Sequence, residues 1–347
     1  YKNYEDKMKN KFFSLKKMNP KLVFLENLDL KKNVKNIQVK ICDYKLKNCN
    51  EQLIDENRFL DLLEQNNLDD RKYFFLSMKK KDYELYDNGK IYSILDDNFK
   101  IYQIDKNINL IKNTDTEVNF DKDNKTINIQ YKFKNSKIIF FDSFLDSWKI
   151  NMINNFSEQI NNNFETKKLT GCLTIIDSKI KNLSINGANF FCEDTVNIIR
   201  SSGSLKFVKL KNAQSDGLDI DFSNISIENL DIYNARNDCA DFSYGNYIIK
   251  NSKINKCDDK GISVGENSKM LLENLFLENT NIGLASKDSS EVIIADANLR
   301  NLETCLSAYN KKQEFLGGYI KVNNLFCENF INLSSKDQFS EIFYKQN

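Results

Sequence analysis

A 22-residue internal period in the second half of this 347-residue chain constrains its fold more than any other feature. Asp194, Asp216, Asp238, Lys260, Ile282 and Thr304 fall in one column, each 22 residues after the last. The next position holds Thr195, Gly217, Cys239, Gly261, Gly283 and Cys305, all small. Val196, Leu218, Ala240, Ile262, Leu284 and Leu306 follow, all apolar, and then Asn197, Asp219, Asp241, Ser263, Ala285 and Ser307. The column after that is again mostly apolar: Ile198, Ile220, Phe242, Val264, Ser286 and Ala308. Such alternation is the two-residue period of a strand with one buried face. Each unit adds a second strand-like run, as in ISIENLDI, YIIKNSKI, MLLENLFL and VIIADANL. Asn229, Asn251, Asn274 and Asp296 recur at its turn. The frame and helical stretch of a leucine-rich repeat are missing, and no unit is long enough for a helix of three turns.

These units fit the coils of a right-handed parallel β-helix. The expected architecture is mainly β, a solenoid of about 22 residues per coil over residues 146–347, preceded by a smaller α+β region over 1–145. In the first part, Leu53, Ile54, Phe59, Leu62 and Leu63 are spaced like one helix face, and Asp87-Asn88-Gly89 is a hairpin signal. DKDNKTINIQYKF reads as a second turn followed by a strand. An open solenoid end needs a cap, and Met152, Ile153, Phe156, Ile160 and Phe164 have the spacing of a capping helix.

Composition narrows the chemistry. With 50 Lys+Arg against 49 Asp+Glu the net charge is +1, far from the basic excess of a nucleic-acid binder. The chain has no histidine, which removes Ser-His-Asp and Cys-His nucleophiles and HExxH zinc sites. Acid–base work then falls to Asp, Glu, Lys, Arg, Tyr or Cys, or to a bound ion. No apolar run reaches membrane-spanning length. The start at Tyr1 suggests a trimmed N-terminus, and a secreted, periplasmic or cell-surface location is favoured. Of eight cysteines, Cys42 and Cys49 are close enough for a local disulfide. Cys172, Cys192, Cys239, Cys257, Cys305 and Cys327 read as small buried fillers. The Lys311-Lys312 pair reads as a solvated loop.

The acidic columns are where chemistry concentrates. In-register coils place Asp216, Asp238 and Lys260 in one stack, Asp219 and Asp241 in a second, and Asp221 and Lys287 in a third. Carboxylates ~5 Å apart share a proton, bind a cation such as Ca2+, or pair with Lys and Arg. A Lys beside Asp238 is expected to favour the ionised carboxylate and lower its pKa.

Three segments resemble successive signatures of the polygalacturonase-type glycoside hydrolases, in the pectate-lyase-like β-helix superfamily. They are SDGLDI (215–220), NDCADF (237–242) and DKGISVG (259–265), about one coil apart. The resemblance covers about a fifth of the chain. It implies that Asp216 helps activate water, that Asp238 is the general acid and that Lys287 holds a substrate carboxylate. Asn237 stands where the family has the first acid of its pair, Lys260 stands for its His, and the Arg before Lys287 is missing.

The expected site therefore has Asp216, Asp238, Asp241 and Lys260 as catalytic candidates. Lys287, Asp219, Arg236 and Tyr309 are substrate-binding candidates, and the partner is a polysaccharide or other glycan. Hydrolase, lyase and epimerase remain open, with Lys260 or Arg236 as a base in the last two, although aspartate neighbours work against a basic Lys. A non-catalytic glycan-binding or structural surface solenoid is the alternative.

Overall fold

The computed structural model of the chain describes residues 37–42, 49–54, 73–77, 82–87, 90–95, 99–113, 116–132, 136–154 and 169–346. The chain divides into two compact units, one ending at Phe99 with 165–169 added, the other holding 100–164 and 170–347. In the first unit, five strands form a sheet whose described pairings are all antiparallel. Strands Asp82–Asp87 and Lys90–Leu95 pair with Asp87 opposite Lys90, the hairpin expected from Asp87-Asn88-Gly89. Cys42 and Cys49 are register partners in the first hairpin of this sheet. Leu53 and Ile54 do not begin a helix. They lie in strand Cys49–Ile54, paired with Ile37–Cys42, because cross-strand pairing overrides a helical spacing pattern. Phe59, Leu62 and Leu63 lie outside the described residues.

The second unit is a parallel β-solenoid of about nine coils with roughly 22 residues per coil. No helix occurs among the described residues, and so none is long and apolar enough to cross a membrane. Its sheet reaches N-terminal of residue 146: strands Ile108–Asn113 and Thr126–Tyr131 belong to it, as does the first coil strand, Ile138–Phe141. From Gly171 onward each coil runs up one wall, turns, and returns along two others. The first wall stacks Gly171–Ile176, Asp194–Ile199, Asp216–Asp221 and Ala240–Ser243, then the closing parts of three long strands, Asn246–Gly265, Lys269–Lys287 and Glu291–Tyr309. Leu173, Val196, Leu218, Ala240, Ile262, Leu284 and Leu306 form one inward column along this wall, all without solvent exposure. The small-residue column beside it also has a steric cause. A Cβ on Gly217 or Gly283 would come within 2.6 Å of the Cys239 or Cys305 carbonyl of the next coil.

The first two residues of the expected capping helix are not helical. Met152 and Ile153 lie in strand Lys149–Asn154, with Met152 buried and Ile153 exposed in strand alternation. Phe156, Ile160 and Phe164 lie outside the described residues. The first coil is instead covered by strands, Ile108–Asn113 antiparallel to Ile138–Phe141 and Thr126–Tyr131 parallel to Lys149–Asn154. Pairing satisfies the edge amides that a helix would leave open.

The six later cysteines are buried but are not fillers. They form the bridges Cys172–Cys192, Cys239–Cys257 and Cys305–Cys327, spanning 20, 18 and 22 residues. About one coil separates the partners in sequence, which is what brings them within bonding reach.

Candidate active site on the acidic wall

The first wall carries the aspartate columns, and hydrogen bonds show how they are held. At the edge where strand Ala240–Ser243 has not yet begun, Asp216 Oδ1 accepts the Asp238 amide at 2.9 Å and the Asn237 side-chain amide at 2.7 Å. One coil on, Asp238 Oδ1 accepts the Lys260 amide at 3.0 Å. Each aspartate thus satisfies a backbone donor of the following coil and is fixed beside its neighbour. Asp194 and Asp216 are register partners, as are Asp219 and Asp241, so carboxylates repeat at the ~4.8 Å strand spacing.

Two lysines thread this array. Lys260 Nζ lies 3.2 Å from Asp238 Oδ1 and also binds Asp259. Lys287 Nζ lies 3.8 Å from Asp241 Oδ1, and Asp241 Oδ1 also accepts the Phe242 amide at 2.9 Å. Both lysines are buried. Gly265 makes room for the second. A Cβ there would stand 3.2 Å from Lys287 Cε. Tyr309 is the register partner of Lys287 and is half-buried beside both ammonium groups.

The electrostatics follow from burial and crowding. Burial first, then the Asp238 charge, pushes Asp216 up to about 7. Burial and Asp241 push Asp238 up to about 6, although Lys260 and Lys287 pull the other way. Lys260 pulls this acid down as expected, but desolvation and a second carboxylate outweigh it and the net shift is upward. Asp219 and Asp194 are raised as well, by burial and then by Asp221 and Asp216 respectively. Burial works against the charged form of Lys260, but Asp238 and Asp259 hold it protonated above its ordinary range. Lys287 is held up in the same way by Asp241.

Asp216, Asp219, Asp238, Asp241, Lys260, Lys287 and Tyr309 are thus brought together. Arg236 is exposed on the turn before Asp238, outside these ion pairs. Asp259, Asn237 and Gly265 complete the array; Asn237 was noted only as a departure from the resembled family, and Asp259 and Gly265 were not singled out, although Asp259 sits directly beside Lys260. Lys312 is not merely solvated. Its Nζ lies 2.6 Å from Glu266 Oε1, while the Lys311 and Lys312 amides donate to Asp288 Oδ1 at 2.6 and 2.8 Å. Against its burial, Lys312 and Ser243 hold Glu266 below the usual carboxylate range. The same loop sets Phe315 on Tyr244, which stacks on Phe222 at 4.6 Å. Among the described residues no group of three or more acidic or thiol ligands converges on a metal-binding geometry, Ca2+ included.

No family model matches the sequence, and no curated protein does. Among solved structures, the catalytic domain of a GH87 alpha-1,3-glucanase in complex with nigerose is similar at 8% identity and a TM-score of 0.26, over 60% of this chain. The match spans 55% of that domain's length.

Proposed function

We propose that the chain is a carbohydrate-active β-solenoid whose acidic wall hydrolyses a glycosidic bond, with Asp216 and Asp238 as its acid–base pair. The observation that carries this reading is the placement of two carboxyls on adjacent coils, raised to about 7 and about 6. Such a pair holds one proton and one charge near neutrality. The protonated member gives its proton to the glycosidic oxygen as the bond to the anomeric carbon breaks. The ionised member takes a proton from water, whose oxygen bonds to that carbon. Asp241, aligned by Lys287 and the Phe242 amide, is assigned to stabilise the positive charge that develops on the sugar. A lyase or epimerase using Lys260 as base is disfavoured, because Asp238 and Asp259 keep that amine protonated. Three disulfides suit the oxidising, extracytoplasmic setting in which polysaccharides are met.

The alternative is a non-catalytic glycan-binding solenoid, favoured by the closeness with which Lys260 and Lys287 engage Asp238 and Asp241. A polysaccharide panel scored for new reducing ends and for unsaturated sugars separates the two. Hydrolysis predicts reducing ends without unsaturated products, and a loss of roughly 10²–10⁴-fold in Asp216→Asn and Asp238→Asn. Wild-type turnover in both variants rejects the acid–base assignment. Affinity that survives both changes, with no product from the native protein, selects the binding reading.

A further inference from the structure

The turn between the two returning walls holds a feature that the acidic wall does not explain. Side-chain amides there pass a hydrogen bond from coil to coil, Asn251 to Asn229 Oδ1 at 3.4 Å and Asn274 to Asn251 Oδ1 at 3.1 Å. The register partner of Asn274 in the next coil is Asp296, which has no N–H to give. Asp296 Oδ1 accepts the Asn324 amide at 2.8 Å, so the ladder resumes one coil later. Asn274 Oδ1 therefore accepts nothing among the described residues, and neither does Asp296 Oδ2. Both residues are exposed, within reach of a ligand. A repeat that breaks its own rule at a single coil marks a place with another task.

A second, independent observation is the aromatic lining beside that break. The outward column Lys209, Asp231 and Lys253 continues, register partner by register partner, as Phe276, Asn298 and Phe326. Phenyl groups thus replace charges on the coils where the ladder breaks, and Phe326 is 41% exposed. Arg300 bridges the two rings, its Cζ 5.9 Å from the Phe276 centroid and 5.8 Å from that of Phe326. Its Nε donates to Asn298 Oδ1 at 3.1 Å and lies 3.0 Å from Glu328 Oε1, while its terminal nitrogens donate to nothing among the described residues. Between these phenyls and the ladder runs a trench of about 470 Å³, with buried Leu275 and Ala297 in its lining.

We infer that this trench is a second glycan site, away from the acidic wall, and that it takes a neutral hexose polymer lying along the solenoid axis. The inference rests on the reading of the chain as carbohydrate-active, but not on hydrolysis. Sugar hydroxyls are donors and acceptors at once, and so they give to Asn274 Oδ1 and Asp296 and accept from the terminal nitrogens of Arg300. The C–H faces of the pyranose rings pack on the phenyls, which stand two coils, or ~10 Å, apart. Stacked coils make extended binding surfaces of this kind. An added peptide strand is disfavoured, because the backbone groups of these coils are spent on coil-to-coil pairing and side chains are left to do the binding. A uronate polymer is disfavoured as well. Asp296 has no ion-pair partner among the described residues, and Arg300 is already neutralised by Glu328.

The test is titration of the intact protein with hexasaccharides of a neutral glucan, mannan and galactan, and with a hexagalacturonate. Binding is read through the side-chain amide NMR signals of Asn274 and Asn324, which report on this turn. At least one neutral hexasaccharide is expected to shift both signals saturably, and the hexagalacturonate to bind at least about tenfold more weakly. Phe276→Leu and Phe326→Leu keep apolar bulk but remove the flat ring, and each should weaken the neutral ligand about tenfold. Asp296→Asn should weaken it comparably while raising the thermal midpoint, since the new amide completes the ladder. Asp216→Asn should leave this binding unchanged. Signals unmoved by every neutral hexasaccharide, an acidic one bound as tightly, or native affinity in the two leucine variants or in Asp296→Asn overturns the inference. Turnover of a glycan without this binding keeps the hydrolase reading and removes only the trench. Conversely, this binding without turnover on any glycan keeps the trench and removes the hydrolase.

Discussion

At the residue scale, Asp216 concentrates the physics of the wall. It sits on the edge of a strand, accepts two donors on one oxygen, and faces Asp238 from the neighbouring coil. Its value of about 7 in the fold lies above the ~4 of an unfolded aspartate. The group therefore contributes stability that is full below about pH 4 and is lost as pH rises through about 7, on the order of a few kcal/mol. Thermal denaturation of the native protein should show a midpoint that falls across this window, and Asp216→Asn should flatten that fall. An unchanged pH slope in the variant would contradict the assigned environment. Lys260 shows why the nearest partner does not decide a pKa. A single ammonium at 3.2 Å was expected to lower Asp238, yet burial together with Asp241 raises it.

At the element scale, coils are tied by side-chain ladders as well as by backbone pairing. The asparagines expected at the second turn do stack, with the Asn274 amide donating to Asn251 Oδ1 at 3.1 Å and that of Asn324 to Asp296 Oδ1 at 2.8 Å. A second ladder went unread in the sequence. Asn189, Asn212 and Asn234, and further on Asn279, Asn301 and Asn329, adopt positive φ and pass amide bonds from coil to coil. Asparagine tolerates that backbone region, so residue type and conformation agree. Ser178, Ser201 and Ser223 make a third ladder, each hydroxyl accepting the amide of the preceding coil. The disulfides act on the same scale. Each closes a loop of 18–22 residues, worth roughly 3 kcal/mol in the chain-entropy account. Reduction under native conditions should lower the denaturant midpoint by an amount matching that figure per opened bridge. A midpoint unmoved after the six cysteines of these bridges are reduced would show that the bridges do not constrain the unfolded chain.

At the scale of the whole molecule, what was legible in the sequence was what stacking forces to repeat. In-register parallel coils demand constant length, so the 22-residue columns and their inward–outward alternation stood out. They placed Asp216, Asp238 and Lys260 side by side before any coordinates. What repeats less regularly was lost. The cysteine partners lie about one coil apart but in different columns, so their pairing left no vertical pattern. Met152 and Ile153 had helix-like spacing, and edge pairing with Thr126–Tyr131 put them in a strand. Arg236 has the right neighbours in sequence but falls on an exposed turn, where the period no longer fixes direction.

The central claim is that the solenoid crowds Asp216 and Asp238 into a coupled acid pair. Carbon-13 NMR titration of the aspartate carboxyls, assigned through Asp216→Asn and Asp238→Asn, measures it directly. The account predicts two carboxyl transitions near pH 6 and 7, with removal of Asp238 lowering that of Asp216. If both carboxyls titrate near the ordinary ~4 and Asp216 does not respond to loss of Asp238, the pair is not formed and the acid–base site falls with it.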